Sequence, residues 1–441
     1  MAGSTYLTRT ISSTGDRKKW TWSGWLKRSG LSTNYIMSSN NGSNQYSMLQ
    51  FDSADRLRWY DYTSDFQSHL KTNRKFKDIS GWYHIVITYD TAQSSSSDRI
   101  KIYVNGQQET SLDTSTYPSQ SYDSYMNFSG VPHYLGRETG TEYLYDGIMS
   151  HVHFCDGYAY SPSDFGETDS TTGEWKIKAA PSVSYGTNGY FMFKDNASVS
   201  DQSGQGNNFT LTAGTLTKTE DCPSNVFATG NPHYWTNSAW DAATLTNGNN
   251  VLGGSISTDT YAGIWSSLVM PRKGKYYTEF KITAGSSGGG NAYVGITTPE
   301  SVNETSNAGK YSGYTNMGGN HGHEYSIYGS DGQKYVKENG GTQSGSTYGS
   351  NTTFGTNDII CIACDLDNNK LYFRKNGDAW LNSGNPESGS TGTGALSIIN
   401  HDYHMFICDG GGGTFINAAA NYGNGYFGTT AVSSAGTNAS N

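Results

Sequence analysis

The chain is short of helix-forming residues and of charge. Over 441 residues only 34% are hydrophobic and 15% charged. A helical protein of this size would carry far more Ala, Leu, Glu and Lys. Lys and Arg together number 29 against 38 Asp and Glu, a formal net charge of −9. That balance argues against nucleic acid as a partner, because phosphates require Lys and Arg clusters. No stretch approaches the ~20 apolar residues of a membrane-spanning helix. The opening MAGSTYLTRT has no apolar core, so no signal peptide is expected and synthesis is expected in a cytoplasm. Five cysteines, an odd number, suggest no disulfide framework. Carboxylates are missing where glycan hydrolysis would need them. A glycosidase holds two carboxyls about 5 Å or about 6.5–9.5 Å apart, yet no predicted strand carries acids in alternation. Glu138 and Glu142 fall in a Gly/Thr loop, where solvated charge is the default. No enzymatic activity and no cofactor are expected.

What is present is aromatic and turn-rich. Aromatics reach 13%, with 33 Tyr and 55 Gly, which excludes a disordered chain and favours short strands joined by turns. Asn-Gly recurs at 41–42, 105–106, 188–189, 247–248, 339–340, 376–377 and 424–425, and each pair could close a hairpin. The expected fold is all-β: two jelly-roll-like antiparallel β-sandwich domains in tandem. The stretch Asp358–Gly377 anchors the second. Ile359 to Ala363 is an unbroken apolar run, Asp365 to Asn369 a turn, and Leu371-Tyr372-Phe373 the return strand. In the first, Trp20 and Trp22 alternate and the phase is expected to break at Gly24.

Several motifs have a plain structural reading. Cys361 and Cys364 form C-x-x-C inside a strand, where they point to opposite faces, so two core residues are expected and not a redox pair. Gly285-Ser286-Ser287-Gly288-Gly289 satisfies G-x-S-x-G, but no helix follows to make a nucleophile elbow. His151, His153 and Cys155 would share one face of a strand, and His321-Gly322-His323-Glu324 lies in a loop. Polar rows are expected at both places, and no metal.

The segments also carry family resemblances. Trp20–Lys27, Gly81–Asp90 (GWYHIVITYD), Ile100–Gly106, Tyr134–Arg137 and Tyr145–Phe154 resemble, in order, strands of laminin G-like, concanavalin A-like domains. Gly274–Phe280 (GKYYTEF), Tyr293–Ile296 and Asp358–Gly377 resemble successive strands of SPRY domains, with Asn421-Tyr422-Gly423 near the closing strand. Laminin G-like relatives bind calcium through loop carboxylates, and no acid here matches such a site. The expected boundaries are 1–215 for the first sandwich, 216–250 for a linker, 251–430 for the second sandwich and 431–441 for a flexible tail. The junction, Asp221-Cys222-Pro223-Ser224-Asn225-Val226-Phe227-Ala228-Thr229 followed by Asn231-Pro232, resembles a phrase in structural proteins of tailed bacteriophages.

That resemblance implies a virion protein: a fibre, appendage or decoration protein contacting host-surface glycan or neighbouring virion proteins. It also implies a homo-oligomer, a trimer by preference. The alternative is a carbohydrate-active enzyme or secreted adhesin with lectin-like domains. The candidate ligand contacts are Tyr311, Tyr314, His321, His323, Tyr325 and Tyr348, because aromatic faces among Gly, Ser and Asn suit sugar.

Overall fold

The computed structural model describes residues 5–42, 44–138, 143–178, 180–194, 197–232, 244–254, 263–302, 322–339, 343–410 and 415–423. Expected positions Tyr311, Tyr314, His321, Glu142 and the tail 431–441 lie outside the described residues. The chain divides into two units, Met1–Val226 and Phe227–Asn441.

In the first unit an eight-stranded sheet runs in the order Leu112–Thr116, Phe66–Lys75, Arg56–Thr63, Gln45–Phe51, Asn34–Asn40, Pro132–Leu135, Tyr6–Thr10, Thr210–Ala213. A six-stranded sheet runs Tyr190–Met192, Gly147–Asp156, Lys19–Arg28, Tyr83–Asp90, Ile100–Val104, Gln107–Gln108. Alternation along each strand sends one set of side chains to the core between the sheets. Trp20 stacks on Tyr89 at 4.7 Å and meets Trp59 of the other sheet at 5.2 Å. All three are fully buried. The alternation does not break at Gly24. Trp22 and Leu26 both enter the core, Trp25 faces the other way, and the Trp22 indole lies over Gly24, where a Cβ would sit 2.6 Å from it. Asn105-Gly106 closes the hairpin between Ile100–Val104 and Gln107–Gln108, with φ of 47° and 79°. Positive φ at both positions is what a type I′ turn demands.

The second unit pairs a seven-stranded sheet with a six-stranded one. The first has the order Thr244–Thr246, Val251–Gly253, Ile416–Asn421, Lys275–Gly285, Ile359–Asp365, Lys370–Lys375, Leu396–Ser397. The second has Gly263–Trp265, His404–Asp409, Ala292–Thr297, Glu324–Tyr328, Lys334–Lys337, Ser344–Ser346. The hairpin of Ile359–Asp365 and Lys370–Lys375 forms as its apolar run and turn dictate. Each unit is thus an antiparallel sandwich, the architecture that both resemblances imply.

The stretch 216–250, expected as a linker, is instead divided between the units. Asp221 is buried in the first, paired with Lys27 Nζ at 2.6 Å and accepting from Trp82 Nε1 at 3.0 Å. Gly230 bridges Ser266 in the second, and Thr244–Thr246 adds an edge strand to its sheet.

Candidate functional site

The richest exposed chemistry lies on the outer face of the eight-stranded sheet in the first unit. Along Gln45–Phe51, Leu49 and Phe51 point to the core, so Tyr46, Met48 and Gln50 point away from it. Along Arg56–Thr63, Leu57 and Trp59 enter the core, and Arg58, Tyr60 and Tyr62 face out. Register places Tyr46 opposite Tyr62, Met48 opposite Tyr60 and Gln50 opposite Arg58. On the next strand His69 lies opposite Tyr60 and Phe66 opposite Tyr62. Tyr35 joins from the strand beyond, opposite Gln50.

These side chains form a connected ring surface. Tyr46 and Tyr62 stack at 5.0 Å with planes 9° apart. Phe66 stands edge-on to Tyr62 at 5.2 Å and to Tyr60 at 5.7 Å. It also stacks on His69 at 4.5 Å. Tyr35, Met48 and Tyr60 are the buried floor, with Tyr46 and Tyr62 half-buried around them. Phe66 is 37% exposed and Tyr143, which meets Tyr35 at 6.3 Å, is 52% exposed. The rim is therefore open to a ligand while the floor holds it rigid.

Polar atoms are threaded through the rings. Tyr60 Oη donates to Gln50 Oε1 at 3.3 Å and also lies 3.2 Å from Met48 Sδ. Burial raises the Tyr60 phenol to about 12, with a hydrogen bond from Tyr35 opposing. Burial also raises Tyr35, and the nearby Tyr60 and Glu138 add to that. Both phenols stay protonated at neutral pH and can donate as well as accept. Burial, then the charges of Arg58 and Lys71, lower the His69 imidazole to about 4, so it is neutral. A shallow shelf of aromatic faces set among amide and phenol groups can stack the apolar face of a sugar ring and bond its hydroxyls.

Of the contacts expected in the second unit, the structure buries the three described ones. Tyr325 is fully buried in the second core; its Oη donates to Glu338 Oε1 at 2.6 Å and accepts from Ile399 N at 3.0 Å. Tyr348 is 2% exposed and donates to the Gly394 carbonyl. Both are core residues because each ring can fill a gap while its hydroxyl finds a partner. His323 is also buried, its Nδ1 accepting from Asn339 N and its ring 5.8 Å from His401. These three are not brought together as an exposed contact surface. The signal that could have located the sheet face instead is period-two alternation: Tyr46-x-Met48-x-Gln50 and Arg58-x-Tyr60-x-Tyr62 each leave large side chains opposite an apolar row.

His151, His153 and Cys155 do not line up. The register shifts between Ser150 and His153, and His151 adopts φ 47°. His153 Nδ1 bonds Tyr185 Oη at 2.9 Å, and its ring stacks on Phe191. Among the described residues no group of His, Cys, Asp and Glu is arranged to hold a metal ion.

Residues 2–164 match the model of the concanavalin A-like lectin/glucanases superfamily, Laminin_G_3. None of the curated proteins matches the chain. Among solved structures it is similar to the SPRY domain of human HERC1, at 12% identity over 41% of this chain and 92% of that one, TM-score 0.27. It is also similar to the SAP-like pentraxin of Limulus polyphemus, at 18% identity over 36% of this chain and 71% of that one, TM-score 0.28. A third is domains LG4-5 of the mouse laminin alpha1 chain, at 11% identity over 91% of this chain and 79% of that one, TM-score 0.29.

Proposed function

We propose that this chain is a non-enzymatic, lectin-like binding protein whose first sandwich holds glycan on the outer face of its eight-stranded sheet. The observation that carries the reading is the ring shelf of Tyr46, Tyr60, Tyr62 and Phe66, with Gln50 among them. The superfamily match over residues 2–164 supports it. The outward positions of the strands forming the shelf carry no acid pair of the kind hydrolysis needs. The ligand is bound and released intact.

A shallow shelf gives a weak single contact, and repetition raises weak contacts to useful avidity. The protein therefore works as a homo-oligomer, with a trimer favoured. Its proposed setting is the virion of a tailed phage, as an appendage or decoration protein, and the support for that setting is the junction phrase Asp221–Pro232.

The test is binding of the purified full chain to immobilised bacterial surface polysaccharides. Tyr62→Ala with Phe66→Ala is expected to abolish retention while leaving the melt nearly unchanged, and no new reducing ends are expected. Retention that survives both substitutions overturns the site. Sustained cleavage overturns the non-enzymatic reading.

A further inference from the structure

Arg58 sits at the centre of the shelf and is held in an unusual way. Its guanidinium lies over the Tyr60 ring at 4.3 Å and near the Phe66 ring at 5.3 Å. Its Nε donates to His69 Nε2 at 2.8 Å. A neutral His69 can accept that bond, so the guanidinium is oriented by an uncharged partner. Two neighbouring cations on the same pair of strands are neutralised. Arg56 and Lys71 share Asp113, at 2.8 and 2.5 Å. Among the described residues Arg58 has no carboxylate within ion-pair distance, and none accepts a bond from its Nη groups.

The chain carries net charge −9 and the Glu138 carboxylate acts on the Tyr35 phenol, so an arginine fixed on rings with no carboxylate in ion-pair reach stands out against its own background. Guanidinium forks match a planar carboxylate through two parallel N–H bonds, and partial desolvation by the rings strengthens that pairing. Resting on the glycan-binding reading above, we propose that the shelf selects acidic glycans, with Arg58 gripping the carboxylate of a uronic or sialic acid while Tyr62 and Phe66 take the sugar ring. Arg58 is then the residue that sets specificity, and the rings supply the general affinity.

The test compares binding of the full chain to oligogalacturonate and to sialyllactose, each beside its carboxyl-reduced counterpart, by calorimetry. A charge-assisted bidentate contact predicts roughly tenfold to hundredfold preference for an acid form. Arg58→Gln is expected to erase that preference yet keep the weaker binding of the reduced glycan. Arg58→Lys, which keeps charge but loses the fork, is expected to fall between. The exposed Lys273→Gln serves as the control. Which of the two acids binds identifies the source of the carboxylate. Equal affinity for acid and reduced forms, or a preference that Arg58→Gln leaves intact, overturns the proposal while the shelf stands. Binding of neither acid nor reduced glycan overturns the shelf as well.

Discussion

Asp221→Ala is the most informative single perturbation of the first sandwich. Lys27 and Asp221 are 1% and 0% exposed at the side chain, and their polar atoms meet at 2.6 Å. Burial lowers the Lys27 ammonium from the ordinary 10.5, and Asp221 offsets part of that. Removing the carboxylate takes the counter-ion from a buried cation and the acceptor from the Trp82 indole N–H. Breaking a buried pair in this way costs about 3–5 kcal/mol. The variant can instead surrender the Lys27 proton, which at pH 7 costs no more than about 5 kcal/mol. For a unit of this size that corresponds to a fall in melting temperature of roughly 6–20 °C. Differential scanning calorimetry of the full chain reads it directly. The loss is expected to ease as pH rises toward 10, because neutral lysine tolerates burial. Lys27→Met with Asp221→Leu is expected to recover most of the stability. A shift corresponding to less than about 1 kcal/mol would mean that the Lys27–Asp221 pair does not anchor this segment, and would return residues 216–226 to the status of a loose connector.

The second sandwich offers three further checks. Tyr325→Ala is expected to destabilise it by about 3–5 kcal/mol, measured by denaturant unfolding, since it empties a core site and orphans the Ile399 amide. Burial raises the Glu324 carboxyl from 4.5 to about 7, with Lys337 opposing. The native side chain therefore keeps a proton between about pH 4.5 and 7 that the unfolded one releases. Stability should fall as pH rises through that window, by at most about 3 kcal/mol, and Glu324→Gln should flatten the slope in hydrogen-exchange measurements on strand Glu324–Tyr328. Of the five free thiols, Cys155, Cys361, Cys364 and Cys408 are buried and Cys222 is half-buried. Titration with a chromogenic disulfide should therefore show one fast thiol and four that wait for unfolding.

Sequence pattern reached the architecture because β-sandwiches write themselves locally. The apolar run Ile359 to Ala363, the turn residues after it and the Asn105-Gly106 pair each specify a hairpin without help from distant residues. The site was harder to read. Tyr is abundant throughout, so a tyrosine near glycines looks like a loop contact even when, as with Tyr325 and Tyr348, its ring is packed and its hydroxyl bonded inside. Gly24 misled in the opposite way. In sequence it marks the end of an alternation that the structure continues, its missing side chain making room for the Trp22 indole. The shelf depends on cross-strand register, Tyr46 against Tyr62 and Gln50 against Arg58. Register is fixed by turns and bulges such as the shift between Tyr35 and Met37, which alternation in one strand does not reveal.

Hydroxyl-radical footprinting of the full chain, with and without a polysaccharide that it retains, shows which face the glycan covers. Aromatic side chains report their own exposure in this measurement. Glycan is expected to suppress oxidation at Phe66, Tyr62 and Tyr143 and to leave the exposed Tyr277 of the second unit unchanged. Suppression at Tyr277 with Phe66 and Tyr62 oxidised as before would contradict the shelf as the binding face.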